Sequence, residues 1–146
     1  MNSVSPLPSS TSFRLGTLGA VATARFTARI AALGLKPKDV GLLTLLRAGG
    51  PLSQLEAAKA MGVAPSLVVT VADRLELLGA VRRLRDPGDR RRQQLTLTQQ
   101  GQALLDRCAG AAHELDAEFT AELDEPERTA LDRTLAKLAA AHGLPA

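Results

Sequence analysis

A chain of 146 residues with 45% apolar side chains has material for one buried core and too little for two, so a single domain is expected. Cys108 stands alone and excludes an internal disulfide, arginines interrupt every apolar run before the roughly 18 residues a membrane span needs, and the N-terminus has no secretory-signal pattern, so a reducing cytoplasm is the expected location. Net charge is +3, but residues 1–105 hold 14 basic and 6 acidic side chains against 4 and 9 in residues 106–146, so only the first part is expected to face an anion.

Met1 to Ser12, rich in Ser and Pro and without periodicity, is expected to be a disordered tail. From Phe13 to Leu33, Leu15, Leu18, Ala22, Phe26, Ile30 and Leu33 recur at three- and four-residue steps, which predicts an amphipathic helix. Pro37 opens a second helix whose Val40, Leu42, Leu43, Leu45 and Leu46 are too apolar for the surface; Gly49-Gly50-Pro51 ends it. Ser53-Gln54-Leu55-Glu56 has capping-box spacing, with serine hydroxyl and glutamate carboxylate satisfying each other's free backbone donors, and predicts a short helix to Met61. Gly62 suits a left-handed stop, Val63 an inward turn, and Pro65 the start of a helix to Leu78 that Gly79 terminates. Helix, short Gly-containing turn and helix is a DNA-reading arrangement. In the second of these helices Val68, Val71, Ala72, Leu75 and Leu78 share the inner face, leaving Ser66, Val69, Thr70, Asp73, Arg74 and Leu77 outward.

Val81 to Arg85 and Arg92 to Leu97 have strand character, and Asp86-Pro87-Gly88-Asp89 between them is turn chemistry, so a β-hairpin wing is expected. Thr98 starts a long helix with Leu104, Cys108, Ala111, Leu115 and Phe119 on one stripe. Asp124-Glu125-Pro126-Glu127 caps a last helix carrying Leu131, Leu135 and Leu138. The fold class is therefore mainly α with a small β-hairpin wing: a winged helix-turn-helix over about 37–97, and flanking helices over about 13–33 and 98–142 whose stripes pair with each other and with a second copy of the chain.

Around the predicted turn, Arg82, Arg83, Arg85, Arg90, Arg91 and Arg92 face only Asp86 and Asp89. Arginine is always charged, and its planar fork suits phosphate oxygens and narrow A·T-rich grooves, so this hairpin tip is a candidate for double-stranded DNA. The helix from Pro65 to Leu78, about 21 Å long, fits a major groove.

Several short runs, Asp73-Arg74-Leu75-Glu76, Gly79, Asp86-Pro87-Gly88-Asp89-Arg90-Arg91 and Leu95-Thr96-Leu97-Thr98-Gln99-Gln100-Gly101, resemble the MarR family of bacterial winged-helix regulators over roughly residues 35–105. The resemblance implies a homodimeric repressor, sometimes an activator, that leaves a pseudo-palindromic operator when a small anionic or phenolic ligand binds or a cysteine is oxidised. It implies that the helix opened by Pro65 lies in the major groove and the wing in the adjacent minor groove. Arg90 or Arg91 would enter that groove, Asp89 would brace the guanidinium, and Asp86 with Pro87 would shape the turn. The candidate DNA-contacting residues are Ser53, Pro65, Ser66, Val69, Thr70, Arg74, Asp89, Arg90, Arg91 and Arg92. Arg74 has two readings, a phosphate clamp or a partner of Asp73 or a wing carboxylate.

One departure concerns specificity. Where the family often carries a Thr-Arg pair, this chain has Val69-Thr70, so bidentate base recognition is weakened and wing, DNA shape and dimer spacing are expected to carry selectivity. The family's ligand pocket, between dimer helices and winged module, would draw on the first, second and fifth helices. With no Tyr or Trp and three Phe, an aromatic lining has little material. The effector is not specified. Arg14, Arg25 and Arg29 are weighed as anion contacts against solvated or paired arginines. Cys108, on an apolar stripe, reads as an inert buried thiol. His113 and His142 lack metal-ligand spacing, and neither a phosphate loop, a dinucleotide glycine pattern nor an activated nucleophile is present, so neither an enzyme nor a cofactor is expected. Two alternatives keep the fold: a protein-interaction module whose hairpin docks an acidic partner, and a non-specific architectural DNA binder.

Overall fold

The computed structural model describes residues 4–145. In chain order it contains a short 3-10 turn (Leu7–Ser9), α1 (Thr11–Ala31), α2 (Pro37–Gly49), β1 (Leu52–Ser53), α3 (Gln54–Met61), α4 (Pro65–Leu77), β2 (Val81–Asp86), β3 (Asp89–Leu97), α5 (Gln99–Phe119) and α6 (Glu125–Ala141). Where one domain over 13–146 is expected from the sequence, the chain divides within α5 into two compact units, Met1–Ala112 and His113–Ala146. A 21-residue helix runs about 32 Å, long enough to belong to both.

The tail expected over 1–12 gives way earlier. Residues 1–3 lie outside the described residues, Pro6 leads into the 3-10 turn, and the Ser10 hydroxyl accepts the Phe13 N–H at 3.2 Å, so α1 begins at Thr11. A serine N-cap satisfies one of the four donors that a helix start leaves open.

The core of the first unit gathers Leu42, Leu43 and Leu46 of α2, Ala57 and Ala58 of α3, Val68, Val71, Ala72 and Leu75 of α4, and Val81 and Leu95 of the hairpin. Ile30, Leu35, Ala80, Leu105 and Cys108 complete it. Each large side chain removed from water here contributes about 1.5–3 kcal/mol, which makes α2, as its apolar sequence predicts, a central element. Phe26, Leu33 and Val63 pack partly buried against this cluster.

The punctuation of the helix-turn-helix follows local chemistry. Ser53 caps α3 by accepting the Glu56 N–H at 3.1 Å. The reciprocal half of the expected capping box is not formed. Ser53 also stands in β1 opposite Gln94, so the sheet offers its backbone an alternative to the Glu56 carboxylate. Gly62, at φ +66°, takes the left-handed stop, and the chain bends by 112° into α4, within the range of helix-turn-helix geometry. Pro65 occupies the first turn of α4, which ends at Leu77, one residue before the expected boundary; Gly79, at φ +72°, then releases the chain toward β2.

The sheet is antiparallel in the order β1-β3-β2. Strand β1 has no signal in the sequence, since two residues carry no readable period; it exists because Leu52 meets Leu95. Gly101 lets α5 leave the sheet closely: a Cβ there would overlap the Ala80 carbonyl oxygen. The Thr98 hydroxyl accepts the Gly101 N–H at 3.0 Å and donates to the Gly79 carbonyl at 2.6 Å, tying the start of α5 to the end of α4. In the second unit, Asp124 and Glu127 cap the start of α6 as expected, and do so through a reciprocal box with bonds of 2.9 and 3.1 Å. Among the described residues no single helix is long and apolar enough to cross a membrane.

Candidate nucleic-acid interface

The inner stripe of α4 is buried as the periodicity predicts, except that Leu78, beyond the helix end, is exposed. Pro65, Ser66, Val69 and Thr70 are all exposed on its first two turns. The Thr70 hydroxyl donates to the Ser66 carbonyl at 3.1 Å, which leaves its lone pairs available to a donor from outside.

Strands β2 and β3 extend further than the sequence suggests, reaching Asp86 and Asp89 and leaving only Pro87-Gly88 as the turn. Pairing is regular from Val81↔Leu97 to Arg85↔Gln93, then jumps to Asp86↔Asp89. That jump leaves Arg90, Arg91 and Arg92 opposite no partner residue. A bulge bends its strand and re-aims its side chains; here it presents three consecutive exposed arginines.

Two carboxylates fix the loop. Asp86 Oδ1 accepts the Gly88 N–H at 2.8 Å, as its expected turn-shaping role requires. Asp89 Oδ1 accepts the Arg91 backbone N–H at 3.0 Å, and not a guanidinium as the family resemblance implies. A carboxylate two residues before an N–H closes an Asx turn at little entropic cost, so the backbone takes the acceptor first. Arg82, Arg85, Arg90, Arg91 and Arg92 make no ion pair among the described residues.

Arg74 requires a correction to both of its readings. Its Nε donates to Asp39 Oδ1 at 3.1 Å and to Oδ2 at 3.2 Å, and its Nη2 lies 2.5 Å from Oδ1. Asp39 is fully buried at the start of α2, where Oδ2 also accepts the Lys36 N–H at 2.7 Å. A buried carboxylate needs its hydrogen bonds filled, so Arg74 fastens α4 to α2. Sequence pattern places Asp39 only near a helix start. An acid in the first turn is the visible signal, and its burial is not.

Arg83 is likewise not singled out by the sequence. Its Nη2 donates to Asp73 Oδ1 at 2.6 Å, to Gln54 Oε1 at 3.3 Å and to the Val69 carbonyl at 3.4 Å, while Nη1 lies 3.4 Å from Glu76 Oε2. With only 17% of its side chain exposed, it belongs to the base of the hairpin and not to the basic tip.

A cleft of about 540 Å³ separates the helix-turn-helix from the wing, lined by Ser53, Gln54, Leu55, Glu56, Pro65, Val69, Arg91, Arg92 and Gln93. The fold thus brings Ser53, from one end of the candidate residues, beside Arg91 and Arg92, from the other. Away from this face, Cys108 is buried in α5, where burial pushes its thiol pKa up against the smaller opposing pull of Arg107. His113 is exposed.

Comparison with known proteins agrees with this geometry. A family model described as MarR family matches residues 35–92. The HTH-type transcriptional repressor Rv2887 of Mycobacterium tuberculosis is 32% identical over 126 residues, covering 86% of this chain and 91% of the relative. The crystal structure of the Mycobacterium tuberculosis MarR family protein Rv2887 in complex with DNA superposes with a TM-score of 0.76 at 31% identity, covering 89% of this chain and 98% of that one. The YusO protein of Bacillus subtilis gives a TM-score of 0.79 at 28% identity, over 96% of this chain and 99% of that one.

Proposed function

The chain belongs to the MarR family, and from that premise we propose that it is a homodimeric, sequence-specific DNA-binding repressor, released from a pseudo-palindromic operator by a small-molecule effector. The bulge carries this reading: three exposed arginines with no carboxylate partner among the described residues stand at the tip of a hairpin directly following an exposed helix face. Free guanidinium groups at a narrow projection suit a minor groove with enhanced negative potential. α4, 13 residues and so about 20 Å long, fits the adjacent major groove.

In this reading Arg90 and Arg91 probe the minor groove, and Arg92 and Ser53 face the intervening phosphate backbone across the cleft they share. Pro65, Ser66, Val69 and Thr70 meet the major groove, with Val69 against a thymine methyl and Thr70 against a base edge or phosphate. Asp89 acts by shaping the bulge, and Arg74 by holding α4. Dimerisation is supported by α1, whose Phe13, Leu15, Leu18 and Val21 stay 39–53% exposed. α6 separately leaves Leu135 and Leu138 exposed. Contiguous apolar faces of this kind are covered by association. Duplex DNA as the partner implies a cytoplasmic location.

Selection of random duplex DNA by the purified protein, followed by sequencing, tests the proposal. An enriched inverted repeat with half-sites about one helical turn apart is expected. Retention without a motif would replace it with architectural binding, and no retention at low salt with a protein-interaction role.

A further inference from the structure

We propose that Arg83 is the positioning residue that sets the angle between the wing and the reading helix α4, an inference that rests on both elements meeting DNA. Among the described residues, no other side-chain hydrogen bond or ion pair joins α4 to the hairpin. Arg83 alone reaches Val69, Asp73 and Glu76 on α4, and it extends to Gln54 at the start of α3. The remaining support lies at the hairpin's root, where β3 pairs with β1, the Thr98 hydroxyl donates to the Gly79 carbonyl, and Val81, Leu95 and Leu97 pack on the core; none of these contacts touches the α4 side chains that Arg83 holds. Apolar packing resists separation but is not directional; a forked guanidinium with three hydrogen-bond acceptors and an ion-pair partner in Glu76 fixes orientation.

The leverage makes this consequential. Pro87 lies four positions beyond Arg83, about 13 Å of strand, so a tilt of about 10° at the base moves the tip about 2 Å. Contacts in adjacent grooves tolerate only about 0.5 Å and 10–20° of misplacement. Arg83 also occupies Asp73 and Glu76, two carboxylates on α4 that would otherwise repel phosphate.

The test uses the full-length protein on the duplex recovered by selection, with Arg83→Gln, Arg83→Lys and the double variant Asp73→Asn plus Glu76→Gln. Hydroxyl-radical footprinting reads the minor groove and guanine-N7 methylation the major groove. Arg83→Gln should lose minor-groove protection while keeping major-groove protection, and its salt slope should fall by roughly 0.9 log units for each phosphate that the wing no longer reaches. Arg83→Lys should lie between it and the parent. The double variant leaves Arg83 in place, removes its charged acceptors and should weaken the same protection; it carries the test if Arg83→Gln does not fold. Unchanged protection with a steeper salt slope in the double variant would make Arg83 a direct phosphate ligand and overturn the inference. A lower Tm in Arg83→Gln, with protection and slope unchanged below melting, would reduce the residue to a stabilising role and overturn it too. Failure of the parent protein to protect any duplex would overturn the proposed function and this inference together, whereas parental protection that no variant alters sinks this inference alone.

Discussion

The base and the tip of the wing are built from the same residue type and do opposite things. At the base, Arg83 is enclosed by Asp73, Glu76, Gln54 and the Val69 carbonyl. Seven residues later Arg90, Arg91 and Arg92 stand exposed in a bulge whose nearby carboxylates are occupied by backbone N–H groups. What an arginine does is therefore set by which acceptors the fold brings within reach. Satisfied guanidiniums give rigidity, and unsatisfied ones give affinity for a polyanion.

Several substitutions probe this division, beginning with the largest effect. Arg74→Ala, on the inner side of α4, strands the buried Asp39 carboxylate and should cost about 3–5 kcal/mol of stability, read as a lower denaturation midpoint with no DNA present. A loss below about 1 kcal/mol, the scale of exposed pairs, would mean that water reaches Asp39. Gly101→Ala drives a methyl into the Ala80 carbonyl beneath the wing and should cost about 1–3 kcal/mol, visible in the same melt. At the tip, Arg90→Ala with Arg91→Ala should leave the melt unchanged while weakening operator binding by about 1.5–3 kcal/mol for each charge-assisted hydrogen bond removed. Thr70→Ala should weaken binding less, by about 1 kcal/mol; equal losses in a titration would break the ranking of wing over reading helix.

The smallest effect concerns Cys108, whose thiol is held above its ordinary value of 9.0 by burial. A folded-state pKa raised above the unfolded one favours the protonated fold, so its stability contribution is complete below about pH 9 and declines as pH rises through the folded value. The fall in stability between pH 8 and alkaline pH should be smaller in Cys108→Ala, and native Cys108 should react slowly with a thiol reagent at pH 7. Fast labelling would contradict the inert-thiol reading.

Much of this is legible in the sequence because it is local. Pro65 at a first turn, Gly62 and Gly79 at left-handed stops, the Asp124–Glu127 box and the inner stripe of α4 each depend on residues within a turn or two of one another. α1 shows where local pattern stops. Its period correctly predicts a helix, yet of its 21 residues only Ile30 is buried within the chain, because periodicity shows that a face is apolar and not what covers it.

The winged helix-turn-helix, the basic hairpin and the family are legible without coordinates, since these reside in short-range spacing and charge. Which arginines are available depends on long-range packing. The Asp39–Arg74 and Gln54–Arg83 contacts join residues 35 and 29 positions apart, and the bulge at Arg90–Arg92 depends on how β3 registers against β2. Charge attraction between exposed side chains is too weak and too unspecific to be assigned from composition; it takes the packing of α2, α4 and the hairpin around one core to place a particular carboxylate against a particular guanidinium.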